Sequence, residues 1–182
     1  MGWLHDIRLR LHHAAVQQAL RQQRFTRVST PYAQLKRVGL LFDATELTRR
    51  EQVLDWAERL RREDRTVYLL GYFPDQPAQP EQVFPNFGKK DLNWRLEPQG
   101  EAVEKMRDQS LDLLVNLDQS GHLPLHYLAA LSKAHFRVGP VTTYTDYYEL
   151  MIDATDPSLP PFIEQVAHYL QKMNTPRHVS KS

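Results

Sequence analysis

A chain of 182 residues has the length of one domain with an appendage, and its 41% hydrophobic and 25% charged residues exclude wholesale disorder. The chain has no cysteine, which excludes disulfides, thiolate metal sites and cysteine nucleophiles. No apolar run approaches the ~20 residues that span a bilayer, and the first residues lack a secretory signal pattern. We therefore expect a cytoplasmic protein, with peripheral association with the membrane left open.

The net charge of +1 conceals an asymmetry between the N-terminal segment and the rest of the chain. Residues 1–40 carry a net charge of +6, because Asp6 is the one acid among seven basic residues: Arg8, Arg10, Arg21, Arg24, Arg27, Lys36 and Arg37. The remaining residues carry a net charge of −5. A basic segment joined to an acidic body indicates an anionic partner.

The first element has the pattern of a basic amphipathic helix from about Trp3 to Arg24, followed by a linker to residue 35. Its main apolar stripe is Trp3, Leu4, Ile7, Leu11 and Ala15, and a neighbouring face holds Leu9, Val16 and Leu20. Three placements stay open: packing on its own domain, lying on a membrane surface, or contacting nucleic-acid phosphates. The excess of arginine over lysine favours phosphate contacts, whereas Trp3 suits a lipid interface.

The body, residues 36–174, opens with the pattern of a β-α-β unit. Val38–Phe42 is a continuous apolar run, typical of a buried parallel strand. Asp43 and Glu46 then have the spacing of a capping box for a helix that reaches Glu63. A second strand is predicted over Thr66–Tyr72.

Residues 73–97 interrupt this regular pattern. Four prolines oppose a helix, and the long segment without regular elements suggests a packed excursion with a role. We expect this excursion to display Lys89 and Lys90, which join the seven basic residues above as candidate anion-binding residues.

Alternating elements return after Pro98. The patterns predict helices over about 99–109 and 124–134, strands over 111–117, 136–139 and 149–153, and a final helix after Ser158, followed by a polar tail over 175–182. The expected fold is therefore an α/β, Rossmann-like, three-layer domain with a mostly parallel sheet of about five strands, preceded by the basic helix.

Polar residues follow the predicted strands at the edge where such sheets bind ligands. Asp43, Asp118 and His122 are the candidate catalytic residues, because converging carboxylates could bind Mg²⁺ or act as acid and base. The alternative is that both aspartates only cap turns or helices.

Other chemical motifs are missing from the sequence. There is no glycine-rich phosphate loop, so a dinucleotide cofactor is not expected. His122 and His126 have metal-ligand spacing, but Pro124 between them places His122 near a helix start. We predict neither a metal site nor a cofactor.

Several strings of the chain resemble a bacterial domain family of unknown function over nearly its whole length. They are residues 38–43, 89–94, 128–139 and 150–153. A fainter similarity, over 112–117 and 131–139, is to the acceptor-side half of heptosyltransferase-like glycosyltransferases. Those enzymes work between two Rossmann-like domains, with the donor mainly on the second. The resemblance thus implies that half of such an active site is missing, and that catalysis would need a partner or has been lost.

Two functional hypotheses follow. The first is a non-enzymatic protein whose basic helix contacts an anionic partner, RNA or the ribosome before a membrane surface. The second is a small glycosyltransferase-like domain, or one that binds a nucleotide or sugar, with its site at the strand ends. The charge asymmetry favours the first, and the oligomeric state stays open.

Overall fold

The computed structural model describes residues 2–22, 30–143 and 145–173. The described residues form six strands: β1 (Arg37–Asp43), β2 (Thr66–Phe73), β3 (Asn86–Gly88), β4 (Leu113–Asn116), β5 (Arg137–Pro140) and β6 (Leu150–Ile152). They form one sheet in the order β3-β2-β1-β4-β5-β6, and every pairing is parallel. This confirms the predicted α/β class and parallel sheet.

Helices cover both faces of the sheet. The five α-helices of the described residues are α1 (Gly2–Gln22), α2 (Leu47–Arg62), α3 (Glu101–Asp108), α4 (Leu123–Leu131) and α5 (Leu159–Met173). Apolar side chains of α2 and α5 share one core cluster, and those of α3 and α4 share the other. The result is the expected three-layer, Rossmann-like arrangement, with α1 packed against the outside of α4.

Strand β1 is the central strand of the domain. Five of its seven residues, Val38–Phe42, are buried, because helices cover the sheet on both sides. Residues 37–43 pair with β2 along their full length, and residues 38–41 pair with β4. A continuous apolar run is the pattern that such a two-sided environment selects, as predicted.

The sheet has one strand more than the sequence predicted, and it lies inside the excursion of residues 73–97. Asn86–Gly88 pairs with the end of β2. Three residues after Pro85 are too few to show a periodic pattern. The strand ends at Gly88, where a Cβ atom would overlap the backbone of Gln76 and Pro77, so the close approach of that loop requires glycine.

Helix α1 packs on the body through a different face from its main apolar stripe. His12 and Val16, one turn apart, are completely buried, and the His12 ring lies 5.3 Å from that of Tyr127 in α4. His12 Nδ1 is hydrogen-bonded to the carbonyl of Arg95 at 2.9 Å. Trp3, Ile7 and Leu11 stay exposed. The neighbouring face that contains Val16 thus joins the core, because α4 and the loop before α3 complement it.

Within the described ranges, no helix is both long and apolar enough to cross a membrane.

Candidate functional site

The order of the strands reverses between β1 and β4. The chain goes outward from β1 to β2 and β3, then returns to the other side of β1 through β4, β5 and β6. The helices that follow β1 and β4 therefore lie on opposite faces. The carboxyl ends of these two strands are the place where open α/β sheets bind their ligands. Asp43 is the last residue of β1, and Asp118 follows β4 by two residues.

Asp118 is a fully buried carboxylate held by its own loop. Oδ1 accepts the backbone N–H of Ser120 at 3.0 Å, and Oδ2 accepts that of His122 at 2.6 Å. Burial alone would raise the pKa of Asp118, but these bonds and the bond from the His122 ring outweigh it and lower that pKa. The side chain is therefore an ionised, rigidly oriented acceptor.

His122 lies directly before α4 and forms a pair with Asp118. Its Nδ1 lies 3.1 Å from Asp118 Oδ1, which assigns the ring proton at Nδ1 to that bond. This bond raises the pKa of His122 above its ordinary value of 6.5, against the opposing effect of burial. One quarter of the His122 side chain is exposed, so the ring is accessible to solvent.

Asp43 completes the group. Its Oδ1 accepts hydrogen bonds from the backbone N–H of Thr45 at 2.9 Å and from the Thr45 hydroxyl at 2.5 Å. The sequence predicted that Asp43 and Glu46 form a capping box for α2. This prediction is wrong, because the N-cap residue is Glu46 and no side chain caps this helix. Ligand atoms of Asp43, Asp118 and His122 all lie within 4.8 Å of one another. The structure thus brings together all three candidates predicted from the sequence.

Two further residues belong to the surroundings of this cluster and were not among the predicted candidates. The ring of Tyr72, at the end of β2, lies edge-on to that of His122 with centroids 5.6 Å apart. Burial, followed by the negative charges of Asp75, Asp43 and Asp118, raises the pKa of Tyr72 to about 12. Tyr72 lies at the end of the next strand of the sheet and Asp75 follows that strand, and this position was the signal that could have identified them.

A second polar network adjoins the cluster through Asn116, whose Oδ1 accepts the backbone N–H of Asp118 at 3.1 Å. The Tyr148 hydroxyl accepts a hydrogen bond from Asn116 Nδ2 at 2.8 Å and lies 2.6 Å from His126 Nδ1. Burial lowers the pKa of His126, which favours the neutral ring as the acceptor of the Tyr148 proton. His122 and His126 therefore have different partners.

The candidate anion-binding residues that the structure describes fall into three groups. Lys36 and Arg37 pair with acids, Lys36 with Asp64 at 2.7 Å and Arg37 with Asp112 at 3.4 Å. Arg8 donates from Nε to the carbonyl of Trp94 at 2.6 Å. Arg10, Arg21, Lys89 and Lys90 are exposed, and so is the side chain of Lys36. Arg24 and Arg27 lie outside the described residues, as does the predicted tail.

A groove of about 750 Å³ lies elsewhere, beside the open edge of β2. Its apolar lining includes Val67, Leu69, Phe84 and Met106. None of the three clustered candidates lines it. We therefore place the candidate site at the strand ends, where charged side chains converge.

Comparison with known proteins bears on the family alone. No curated protein and no solved structure matches this chain. The similarity to heptosyltransferase-like glycosyltransferases therefore stays a prediction. Residues 8–173 match a family of unknown function, DUF6913, and this range includes the docked part of α1, the whole sheet and the candidate cluster. The match confirms the predicted resemblance to a domain family of unknown function, and the chain belongs to the DUF6913 family.

Proposed function

We propose that this chain binds a neutral, hydroxyl-rich small molecule, such as a sugar, at the carboxyl ends of β1 and β4. The observation that carries the proposal is the convergence of Asp43, Asp118 and His122 within 4.8 Å. Ligands of open parallel sheets bind at these strand ends. This develops the second of the two hypotheses from the sequence.

The hydrogen bonds of the cluster leave specific atoms for a ligand. Asp118 occupies Nδ1 of His122, so Nε2 is the ring atom left for a ligand hydroxyl. Thr45 occupies Oδ1 of Asp43, and among the described residues no hydrogen bond reaches Oδ2. Asp43 Oδ2 can accept a hydrogen bond from one ligand hydroxyl, while His122 Nε2 contacts another oxygen of the ligand. A histidine oriented by a buried carboxylate can also act as a general base, which removes the proton of a hydroxyl group and so activates it.

The charge of the site argues against a ligand bound through phosphate. Asp43, Asp75 and Asp118 surround one histidine, and their negative potential repels anions. The loop after β1 also lacks the glycines that let backbone N–H groups surround a phosphate. Neutral hydroxyl groups, by contrast, suit carboxylate and imidazole partners.

A divalent cation is the second candidate ligand, and the short distances among the three side chains favour it. Carboxylate oxygens are the ligands that Mg²⁺ prefers. However, both oxygens of Asp118 and Nδ1 of His122 already have hydrogen-bond partners. An ion would have to compete with these bonds, whereas a hydroxyl ligand can use the remaining atoms.

The state of His122 provides a first prediction. We expect proton NMR titration of its ring to give a pKa above about 6.5, the ordinary histidine value. Because Asp118 is the main cause, Asp118→Asn should lower this pKa. Asp153→Asn removes the same charge from an exposed residue outside the cluster and should leave the pKa unchanged. A His122 pKa that is the same in native protein and Asp118→Asn would contradict the paired arrangement.

Ligand binding provides a second prediction, tested by thermal unfolding with glucose, galactose, mannose or MgCl₂. A ligand at about 100 times its Kd stabilises the folded state by ~2.7 kcal/mol, which raises the Tm of a domain of this size by about 5–10 °C. We expect a sugar of this panel to raise the Tm. Asp43→Asn and His122→Gln should each remove that increase, and Asp153→Asn should keep it.

Two results would contradict the proposal. One is an increase in Tm that both cluster variants retain, because the ligand would then bind elsewhere. The other is stabilisation by MgCl₂ with none by any sugar, which would select the cation instead.

A further inference from the structure

Helix α1 presents an apolar surface to solvent. Trp3 is 68% exposed, Ile7 39% and Leu11 40%. Their spacing of four residues places them on one side of the helix. The opposite side, with His12 and Val16, is buried against the body. The helix therefore buries one face against the domain and exposes a second, apolar face to solvent. A row of exposed apolar residues along one side of a helix is the kind of surface that interaction sites use.

Trp94 extends this surface from the loop beside α1. Its backbone carbonyl accepts a hydrogen bond from Nε of Arg8, and its side chain is 59% exposed. The guanidinium of Arg95 lies 4.9 Å from the Trp94 ring centroid. An exposed tryptophan next to a basic residue is typical of proteins that sit at the boundary between lipid headgroups and acyl chains.

Positive charge flanks the apolar residues. At about 100° per residue, Arg10 and Arg21 lie within about 60° of Ile7 around the helix. Both side chains are exposed. We call Trp3, Ile7, Leu11 and Trp94, with Arg10 and Arg21, the α1 surface. Over α1 the net charge is +2, because Asp6 is the one acid beside Arg8, Arg10 and Arg21.

We propose that the α1 surface docks this protein on an anionic lipid surface. This inference is independent of the strand-end site. Ile7 and Leu11 would enter the headgroup boundary, while the arginines contact lipid phosphates. RNA is the weaker candidate, since aliphatic side chains gain nothing from a phosphate backbone. A second copy of the chain is also weaker, because a two-fold contact would place like charges against each other.

The experiment is co-sedimentation of the full chain with vesicles of phosphatidylcholine that contain about 30% phosphatidylglycerol. We expect binding to these vesicles, about tenfold weaker binding to pure phosphatidylcholine, and loss of binding as salt increases. Ile7→Glu with Leu11→Glu should reduce binding at least tenfold. The matched control is Leu47→Glu with Val141→Glu, which adds the same charge at two exposed apolar positions away from α1 and should reduce binding much less.

Tryptophan fluorescence of the unsubstituted protein gives an answer that does not depend on how the variants fold. Trp3 and Trp94 are exposed and Trp56 is buried, so docking should shift the emission to shorter wavelength when anionic vesicles are added. No binding and no shift would overturn the proposal. Equal loss of binding in both double variants would also overturn it. So would binding to polyuridylic acid without binding to vesicles, or a dimer that Ile7→Glu with Leu11→Glu dissociates.

Discussion

Replacement of Arg137 by methionine is expected to lower the free energy of unfolding by about 3 kcal/mol. The guanidinium is buried and donates to both carboxylate oxygens of Glu149, at 3.0 Å from Nε and 2.7 Å from Nη2. It also donates to the carbonyl of Ala130 at the end of α4, at 2.7 Å. Methionine fills a similar volume but leaves the Glu149 carboxylate without its cation. Urea denaturation at neutral pH measures the loss.

The control for this prediction is a solvent-exposed ion pair on the surface of the protein. Arg61 and Glu58 pair on the exposed side of α2, and Arg61→Met should change stability by less than about 0.5 kcal/mol. Adding Glu149→Gln to Arg137→Met should recover part of the loss, because the carboxylate that lost the guanidinium is then neutral as well. A loss for Arg137→Met as small as that of Arg61→Met would show that the buried pair does not hold α4 and β6 together.

Phe42→Ala should cost about 3–5 kcal/mol of unfolding free energy. Phe42 is completely buried near the end of β1, and its ring lies 5.1 Å from that of Phe84, with the planes steeply inclined. Removal of the ring loses its burial and leaves a cavity that the sheet cannot close. Urea or thermal denaturation measures the change.

Val83→Ala is the matched control for Phe42→Ala. Val83 precedes Phe84 but is exposed, and its truncation should cost less than about 0.5 kcal/mol. A similar small cost for Phe42→Ala would mean that the core closes around the missing ring. That result would contradict the tight packing between β1 and the segment before β3.

The strands with long apolar runs were predictable from the sequence. The strand at Val38–Phe42 could be predicted without knowing which strands pair with it, because a strand buried on both faces is apolar at every residue. Asn86–Gly88 was not predictable. These three residues form a strand because they pair with β2. Their own local sequence has no pattern that predicts it.

The candidate cluster was predictable in part. The positions of Asp43 and Asp118 after strands indicated the correct edge of the sheet. Their proximity depends on β1 and β4 being neighbours, which the local sequence does not specify. The pair between Asp118 and His122 likewise depends on how the loop after β4 turns. The strand-end position of Tyr72 was available in the sequence, but its contact with the ring of His122 was not.

The sequence by itself determined the α/β class, the parallel sheet, the basic segment and the edge of the sheet where polar residues gather. These follow from local patterns of apolar residues, charges and strand ends. Only the tertiary structure decided which face of α1 is buried, that β1 lies beside β4, and that three polar side chains meet. The physical reason is that these properties depend on contacts between segments far apart in the chain, and the packing of the whole domain selects them.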